Sequence, residues 1–367
     1  MTTDAPGPLD TADTLAFAGA ALGEPLHDGV ALGGSRRSLV LRASRAGGGT
    51  VVVKRYPRGE EQATGGFARE VVGLELLDGT PALLATDPAH RLLVMSDVGD
   101  HATLADLLRG DDPDAAWQGA LAWAGALGAL VADGRDAVER ARVRLGGARD
   151  RSSVERAEHA RAGLAALAHA TGVPANGAAA EITTALGALA AAEVDVLSPG
   201  DTCPDNVLMT ARGPVFVDLE ATDVRPAAFD AAYAALPFAT CWCVYAPPPG
   251  LTEAMLDAFA HGVRSLAPEL LGEQWRETVV VAAAAWALGM AGVLLRYTDD
   301  ASRRMGPTDA PALTMRELLL LRLDWVEREA AATLPETATV TASAAAALRA
   351  TWGELPAPTF PAWSGCC

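Results

Sequence analysis

Runs of apolar and β-branched residues, separated by turn residues, dominate the first hundred positions of the chain. Residues 38–43 (SLVLRA) and 50–56 (TVVVKRY) are two such runs, and the link SRAGGG between them predicts a β-hairpin. Residues 81–86 and 91–97 predict two further short strands. Between the two pairs, residues 67–77 (FAREVVGLELL) have apolar positions at intervals of three and four, which predicts one helix.

After about residue 100 the pattern changes to a helical period. Residues 102–192 are rich in Ala, Leu and Arg, and residues 197–220 read as a compact loop followed by a short hairpin. Helices are predicted from there to the end, with breaks at 246–250 (APPPG) and 306–313 (GPTDAPAL).

These elements predict an α+β chain of two lobes. Residues 1–96 would form a small β-rich lobe of strands plus one helix, and residues 97–367 a large, mainly helical lobe that carries the embedded loop. A short linker near residues 96–100 would join them. The cleft between two such lobes is a common place for a ligand to bind.

Composition and charge narrow the possible functions. Half of the 367 residues are hydrophobic and 20% are charged, as in globular proteins. The formal net charge of −17 argues against nucleic acid as a partner, because phosphate backbones are bound by basic surfaces. The five cysteines have neither zinc-finger spacing nor the density of a disulfide-rich secreted protein, which favours reduced thiols.

Targeting signals are not evident. The N-terminal residues show no basic region followed by an apolar segment, so a cytoplasmic protein is expected. Residues 279–295 (VVVAAAAWALGMAGVLL) carry no charge but are short for a membrane span and rich in Ala and Gly. We therefore predict a buried core helix there rather than contact with a membrane.

Lys54 is the one lysine among 29 basic residues, and it follows three valines. An isolated strand lysine is commonly a solvated edge residue. However, a compact ammonium fits crowded sites that the planar guanidinium does not fit. Glu70 follows sixteen residues later and shares a helix face with Leu74 and Leu77, so it is predicted to be partly buried and paired with Lys54. The alternative for Glu70 is a solvated carboxylate paired with an arginine.

The segment GDTCPDNVLMTARGPVFVDLEA carries the second group of candidate residues. Asp201 and Asn206 lie five positions apart on a loop, and a predicted hairpin then brings Asp218 and Glu220. Phosphoryl transfer requires a carboxylate close to the acceptor hydroxyl and oxygen ligands for Mg²⁺. An isolated Asp-x₄-Asn is weak evidence, because both residues are common in loops. The combination with an upstream strand lysine is more specific.

In these residues the chain resembles the aminoglycoside phosphotransferase family of small-molecule kinases, which share the bilobal protein-kinase-like fold. The catalytic loop of that family reads His-Gly-Asp, four residues and Asn, with a magnesium-binding Asp in a hairpin soon after; PGDTCPDN and VFVDLE are similar. VVVKRYP resembles the family's third strand, and FARE resembles the helix whose glutamate orients the lysine. The resemblance extends from about residue 30 to residue 235.

The resemblance implies a role for each candidate residue. Asp201 would orient and deprotonate the acceptor hydroxyl, and Lys54, held by Glu70, would neutralise phosphate charge. Asn206 and Asp218 would hold Mg²⁺. Glu220 would be a further metal ligand or a hydrogen-bond acceptor behind the metal, and Asp230 would brace the loop. Residues expected to contact the nucleotide are Gly33, Gly34 and Ser35, in a turn before the first strand, and Met95, Ser96 and Asp97, in a hinge against the base.

Three residues of the loop depart from the family pattern. Pro199 occupies the position of the usual histidine, whose hydrogen bonds brace the loop and which proline cannot replace. Asp205 replaces a small residue and adds negative charge beside the metal ligands, and Cys203 is either a redox-active thiol or a small buried residue.

The sequence thus predicts a Mg²⁺-dependent kinase that uses ATP or GTP and acts on a hydroxyl of a small molecule such as an antibiotic, an amino alcohol or a sugar. Three alternatives remain open. These are a kinase for Ser or Thr of a small peptide, a pseudokinase that binds nucleotide without turnover, and a purely structural helical protein. An open groove after residue 246 would favour a peptide, and a closed acidic pocket would favour a small cation. Trp242 and Tyr245 either stack on a ligand or pack internally.

Overall fold

The computed structural model describes residues 9–35, 38–57, 61–146, 151–192, 194–238, 240–306 and 312–365. The N-terminal part is an antiparallel sheet of five strands in the order β1-β2-β3-β5-β4 with two helices. The elements are α1 (Thr11–Leu22), β1 (Leu26–Ser35), β2 (Ser38–Arg45), β3 (Thr50–Arg55), α2 (Glu61–Leu76), β4 (Leu83–Asp87) and β5 (Leu92–Ser96).

The predicted α+β class is confirmed, and four of the five strands lie where the sequence pattern indicated. The prediction of only one helix in the first 96 residues was wrong, because α1 precedes the sheet. The strand β1 was also missed. Its sequence, LHDGVALGGS, contains three glycines, and its pairing with β2 shifts register twice, so apolar and polar positions do not alternate regularly.

The two faces of β3 have different neighbours, because side chains alternate across a strand. Val51 and Val53 point toward α1 and pack in a small core with Ala18. On the same face, Arg55 donates a hydrogen bond from Nη1 to Thr14 Oγ1, 3.0 Å away in α1. Lys54 therefore points to the opposite face, toward α2 and the helical part of the chain.

The remainder of the chain is mainly helical, as predicted, with two small antiparallel sheets. One sheet pairs β6 (Asp195–Ser198) with β9 (Asp223–Pro226), and the other pairs β7 (Val207–Thr210) with β8 (Gly213–Phe216). The helices are α3 (Leu104–Arg109), α4 (Pro113–Gly134), α5 (Val138–Arg144), α6 (Arg151–Thr171), α7 (Asn176–Ala192), α8 (Ala228–Ala235), α9 (Leu251–Arg264), α10 (Trp275–Leu295), α11 (Met315–Glu329) and α12 (Pro335–Trp352).

Close helix crossings hold this part together. A Cβ atom added to Gly163 of α6 would lie 1.8 Å from the carbonyl oxygen of Leu288 in α10. The same holds for Gly128 of α4, where an added Cβ atom would lie 2.2 Å from the carbonyl oxygen of Phe259 in α9. Glycine at both crossings lets the backbones approach more closely than any larger residue permits.

Among the described residues, two stretches are long and apolar enough to cross a membrane, Pro113–Arg144 and Trp275–Leu295. More than half of each apolar window, 56% and 61% respectively, is buried inside the protein. In α10 the buried positions include Val281, Leu288 and Leu294, and the helix packs against α6, α8 and α11. The prediction of a buried core helix at 279–295 is confirmed.

Candidate active site

A cavity of about 400 Å³ lies between the N-terminal sheet and the helical part of the chain. Its lining comes from both sides, which is why residues distant in sequence meet there. The residues from β1 to β5 are Leu32, Val40, Arg42, Val52, Lys54, Pro81, Met95 and Ser96. The residues that follow β5, up to the start of α3, are Asp97, Val98, Gly99, Asp100, His101 and Thr103. The catalytic-loop segment contributes Asp205, Asn206, Leu208, Val217 and Asp218.

Lys54 lines this cavity and is 4% exposed. Its Nζ atom lies 2.9 Å from Glu70 Oε2, 2.9 Å from Asp218 Oδ1 and 3.6 Å from Glu220 Oε2. The strand β3 is in the middle of the sheet, between β2 and β5, so Lys54 is not a solvated edge residue. The predicted ion pair with Glu70 is present, and the alternative of a solvated Glu70 is wrong because that side chain is fully buried.

Burial and charge oppose each other at this ion pair. Burial lowers the pKa of Lys54, but the carboxylates of Glu70 and Asp218 more than offset burial and hold the pKa above its usual value. Burial raises the pKa of Glu70 from 4.5 to about 7, although Lys54 lowers it. Tyr56, two residues after Lys54 on the same face of the chain, donates its hydroxyl hydrogen to Glu70 Oε2. Tyr56 was not among the predicted residues. Its position two residues after Lys54 could have indicated it, because side chains two residues apart on a strand point to the same face.

The loop that carries Asp201 requires glycine at position 200, directly before the aspartate. Gly200 has φ of +84°, and an added Cβ atom would lie 2.0 Å from the carbonyl oxygen of Ala221. The backbone N–H of Cys203 donates to Asp201 Oδ1 over 3.1 Å, and the N–H of Asn206 donates to the carbonyl of Cys203 over 2.9 Å. Burial raises the pKa of Asp201. Asp201 is not among the described residues that line the cavity, whereas Asn206 is.

The loop is braced even though Pro199 replaces histidine. Ser198 Oγ donates to Asp230 Oδ1 over 2.7 Å and accepts from the N–H of Gly200 over 3.0 Å. Arg225 donates from Nη2 to Asp230 Oδ1 over 2.5 Å and to the carbonyl of Gly200 over 3.2 Å. All of these side chains are buried. Asp230 therefore braces the loop, as the resemblance implied, while the contribution of Arg225 and Ser198 was missed.

The hinge segment after β5 is held by Asp97. Its carboxylate accepts from Thr50 Oγ1 over 2.7 Å, from the N–H of Gly99 over 2.9 Å and from Arg42 Nη2 over 3.1 Å. Burial acts to raise the pKa of Asp97, but these hydrogen bonds hold it below its usual value. Met95, Ser96 and Asp97 all line the cavity, as a hinge against a base would. Arg42 was missed, although it shares a face of β2 with Val40.

The predicted phosphate-covering turn lies in a different kind of element. Gly33, Gly34 and Ser35 form the end of β1, where they pair with Val40, Leu39 and Ser38 of β2. The turn is therefore the tip of the β1–β2 hairpin and not a loop before the first strand, which corrects the prediction. Residues 36 and 37 of the same motif lie outside the described residues.

Two of the metal ligands implied by the resemblance, Asp218 and Glu220, lie close to Lys54. Asp218 follows β8 instead of lying within it, since that strand ends at Phe216. Its side chain is 33% exposed toward the cavity, and Glu220, two residues later, is 15% exposed. Val217 donates its N–H to the carbonyl of Asn206 over 3.0 Å, which ties the two candidate ligand segments together.

The two aromatic residues predicted either to stack on a ligand or to pack internally, Trp242 and Tyr245, differ in burial. Tyr245 is 5% exposed and its ring lies 5.4 Å from that of Phe360. Trp242 lies against Arg109, whose guanidinium carbon is 5.1 Å from the ring centroid. For Tyr245 the internal-packing alternative is confirmed.

Comparisons with known proteins agree with this geometry. The profile of the phosphotransferase enzyme family matches residues 29–267. A candidate aminoglycoside phosphotransferase from Ralstonia eutropha is 15% identical, with a TM-score of 0.54 over 91% of this chain and 98% of that one. An amicoumacin kinase solved with AMP-PNP and Ca²⁺ is 11% identical, with a TM-score of 0.53 over 86% of this chain and 93% of that one. No curated protein matches the sequence significantly.

At these identities the two structures show a shared fold, that of the protein-kinase-like small-molecule kinases. The family match spans well over half of the chain and includes Lys54, Glu70, Asp201, Asn206 and Asp218. The chain belongs to the phosphotransferase enzyme family.

Proposed function

We propose that this phosphotransferase moves the γ-phosphate of ATP or GTP to a hydroxyl group of a small molecule, with Mg²⁺ as the metal. The observation that carries the proposal is the position of Lys54. Its ammonium is buried between Glu70 and Asp218 beside a cavity that Lys54 and Asn206 both line. A buried cation held by two carboxylates beside an open cavity is suited to neutralise a phosphate group.

The oxygen donors around the cavity and Lys54 fit Mg²⁺. Asn206 offers an amide oxygen, and Asp218 and Glu220 offer carboxylate oxygens, which are the hard ligands that Mg²⁺ prefers. When bound, the ion would neutralise charge on the β- and γ-phosphates. Soft ligands are not part of this set. The fit supports Asn206 and Asp218 as ligands, with Glu220 as a third oxygen donor or as an acceptor behind the metal.

The cavity would offer the base and the phosphates separate places. Val40, Val52 and Met95 provide apolar surface for a purine, and Ser96 and Asp97 lie at the hinge. Lys54 would contact the phosphates, and the tip of the β1–β2 hairpin, including Gly33, Gly34 and Ser35, would cover them with backbone N–H groups.

Asp201 is proposed as the group that accepts the proton of the attacking hydroxyl. It lies on the loop that carries Asn206 but does not line the nucleotide cavity, which suits a group that contacts the acceptor. Burial raises its pKa, which makes the carboxylate a better proton acceptor than a solvated one. The acceptor is proposed to be an alcohol of the kind that antibiotics, amino alcohols and sugars contain.

The first test is calorimetric titration of ATP and of GTP, with and without Mg²⁺, into the wild type and into Asp218→Ala. We expect Mg²⁺-dependent binding that the variant loses. Asp257→Ala is the control, because Asp257 is an exposed aspartate paired with Arg276 at the surface. Its titration should match the wild type.

A screen of alcohol acceptors by release of ADP or GDP then follows. Failure of both nucleotides to bind to folded protein would overturn the proposal. Binding without turnover on any acceptor would instead support the pseudokinase alternative.

A further inference from the structure

A second cluster of ligand-type side chains lies at the catalytic loop and shares one residue, Asp205, with the lining of the proposed nucleotide cavity. Cys203 and Asp205 belong to the loop, and Cys241 belongs to the segment that follows α8. The two sulfurs and one carboxylate oxygen lie within 4.8 Å of one another, although Cys241 is 36 residues from Asp205. Cys243 adds a third thiol, with its Sγ atom 2.8 Å from that of Cys241.

The distances suit a tetrahedral metal ion. With Zn–S bonds of about 2.3 Å and Zn–O bonds of about 2.0 Å, a sulfur and an oxygen on the same ion lie about 3.5 Å apart. Cys241 Sγ lies 3.8 Å from Asp205 Oδ1, so small side-chain movements would bring both atoms to bonding distance.

Cys243 lies beside Cys241 but outside the group of three atoms that are within 4.8 Å of one another. Two thiolates on one tetrahedral ion lie about 3.8 Å apart. The Sγ atoms of Cys241 and Cys243 are 2.8 Å apart, so these two thiols do not bind one ion together in this arrangement. A disulfide would join only two of the three sulfurs and would give the carboxylate no role.

The surroundings favour a site that is held rigidly. Cys203, Cys241 and Cys243 are 7%, 1% and 1% exposed, so the thiols lie in a dry environment. The indole N–H of Trp242 donates to Asp205 Oδ2 over 2.7 Å, which leaves Oδ1 directed at Cys241. A hydrogen bond to the second oxygen of a ligating carboxylate is typical of metal sites, since it fixes the orientation of the ligand.

We infer that Cys203, Asp205 and Cys241 form a binding site for a thiophilic divalent cation of the Zn²⁺ type. The thiolates distinguish this site from the all-oxygen set of Asn206, Asp218 and Glu220, because soft sulfur ligands select Zn²⁺ over Mg²⁺. The ion would join the catalytic loop to the segment after α8. This inference does not depend on the proposed function.

The test uses the full chain with Cys366→Ser and Cys367→Ser, so that the tail thiols contribute no signal. The protein is purified without chelator, and its zinc content is measured by mass spectrometry of the digested sample. Co²⁺ is then titrated into the metal-free protein, and thiolate-to-cobalt charge transfer is followed in the near ultraviolet. We expect about one ion per chain and a rise of the melting temperature on binding.

Two variants locate the ion. Cys241→Ser should abolish the charge-transfer band, and Trp242→Phe, which keeps the packing but removes the N–H donor, should weaken binding about tenfold to a hundredfold. Circular dichroism establishes that each variant is folded. The inference is overturned if the folded parent gives no band with excess Co²⁺, or if the band persists in Cys241→Ser. It is also overturned if the freshly purified parent contains a disulfide among these cysteines, shown by intact mass.

Discussion

Replacing Glu70 with Gln tests the electrostatics of the site most directly. The substitution keeps the shape of the side chain but removes a group whose pKa is raised by burial from 4.5 to about 7. Between pH 4.5 and about pH 7, Glu70 is protonated in the folded protein and ionised in the unfolded chain. Glu70 therefore contributes its full stability below pH 4.5, and that contribution is lost as pH rises through 7.

The magnitude follows from the size of the shift. A difference of about 2.5 pKa units at about 1.4 kcal/mol per unit corresponds to about 3 kcal/mol. The free energy of unfolding of the wild type, relative to Glu70→Gln, should fall by about that amount between pH 4.5 and pH 7.5. The tyrosine and lysine partners remain in both proteins, so the difference isolates the carboxylate.

The assay is urea unfolding of both proteins at a series of pH values across this range. Glu75→Gln is the matched control, because Glu75 lies on the same helix but is paired with Arg144 at the surface. If the stabilities of the wild type and Glu70→Gln run parallel across the range, the burial argument is refuted. If the wild type instead gains stability relative to Glu70→Gln as the pH rises, the ion pair with Lys54 outweighs burial in setting the pKa of Glu70.

Three further predictions concern the residues around this site. Lys54→Arg should lower kcat/KM at least about a hundredfold in the acceptor assay, because the planar guanidinium does not fit between the carboxylates of Glu70 and Asp218. Unchanged kinetics would remove Lys54 from the proposed phosphate site. Gly200→Ala should destabilise the protein by about 1–3 kcal/mol, since its backbone is left-handed and the new methyl would overlap the carbonyl of Ala221; a melting temperature equal to that of the wild type would contradict this. Arg225→Met should cost about 3–5 kcal/mol in urea unfolding by leaving Asp230 buried without its cation, and a loss below about 1 kcal/mol would show that the brace is not important.

Local sequence patterns were sufficient for much of the molecule. The alternation of β3 places Lys54 opposite Val53, and the helical period of α2 turns Glu70 inward, so their pairing followed from two periodicities. The spacing of Asp201, Asn206 and Asp218 on a loop and hairpin likewise indicated one site. These predictions rest on geometry within a few residues, where the backbone leaves few choices.

Other features have no local signal. The strand β1 is identified by its pairing with β2 and not by its glycine-rich sequence. The replacement for the missing histidine depends on Arg225 reaching Gly200, 25 residues away, and on the burial of both groups. Cys203 lies close to Cys241 because the segment after α8 packs on the catalytic loop. The local sequence around Cys203 does not indicate this contact. The sequence alone thus determined the strands, helices and spacings that carry the chemistry. Tertiary packing decided which distant polar groups are buried together, because burial and long-range contact are properties of the folded chain as a whole.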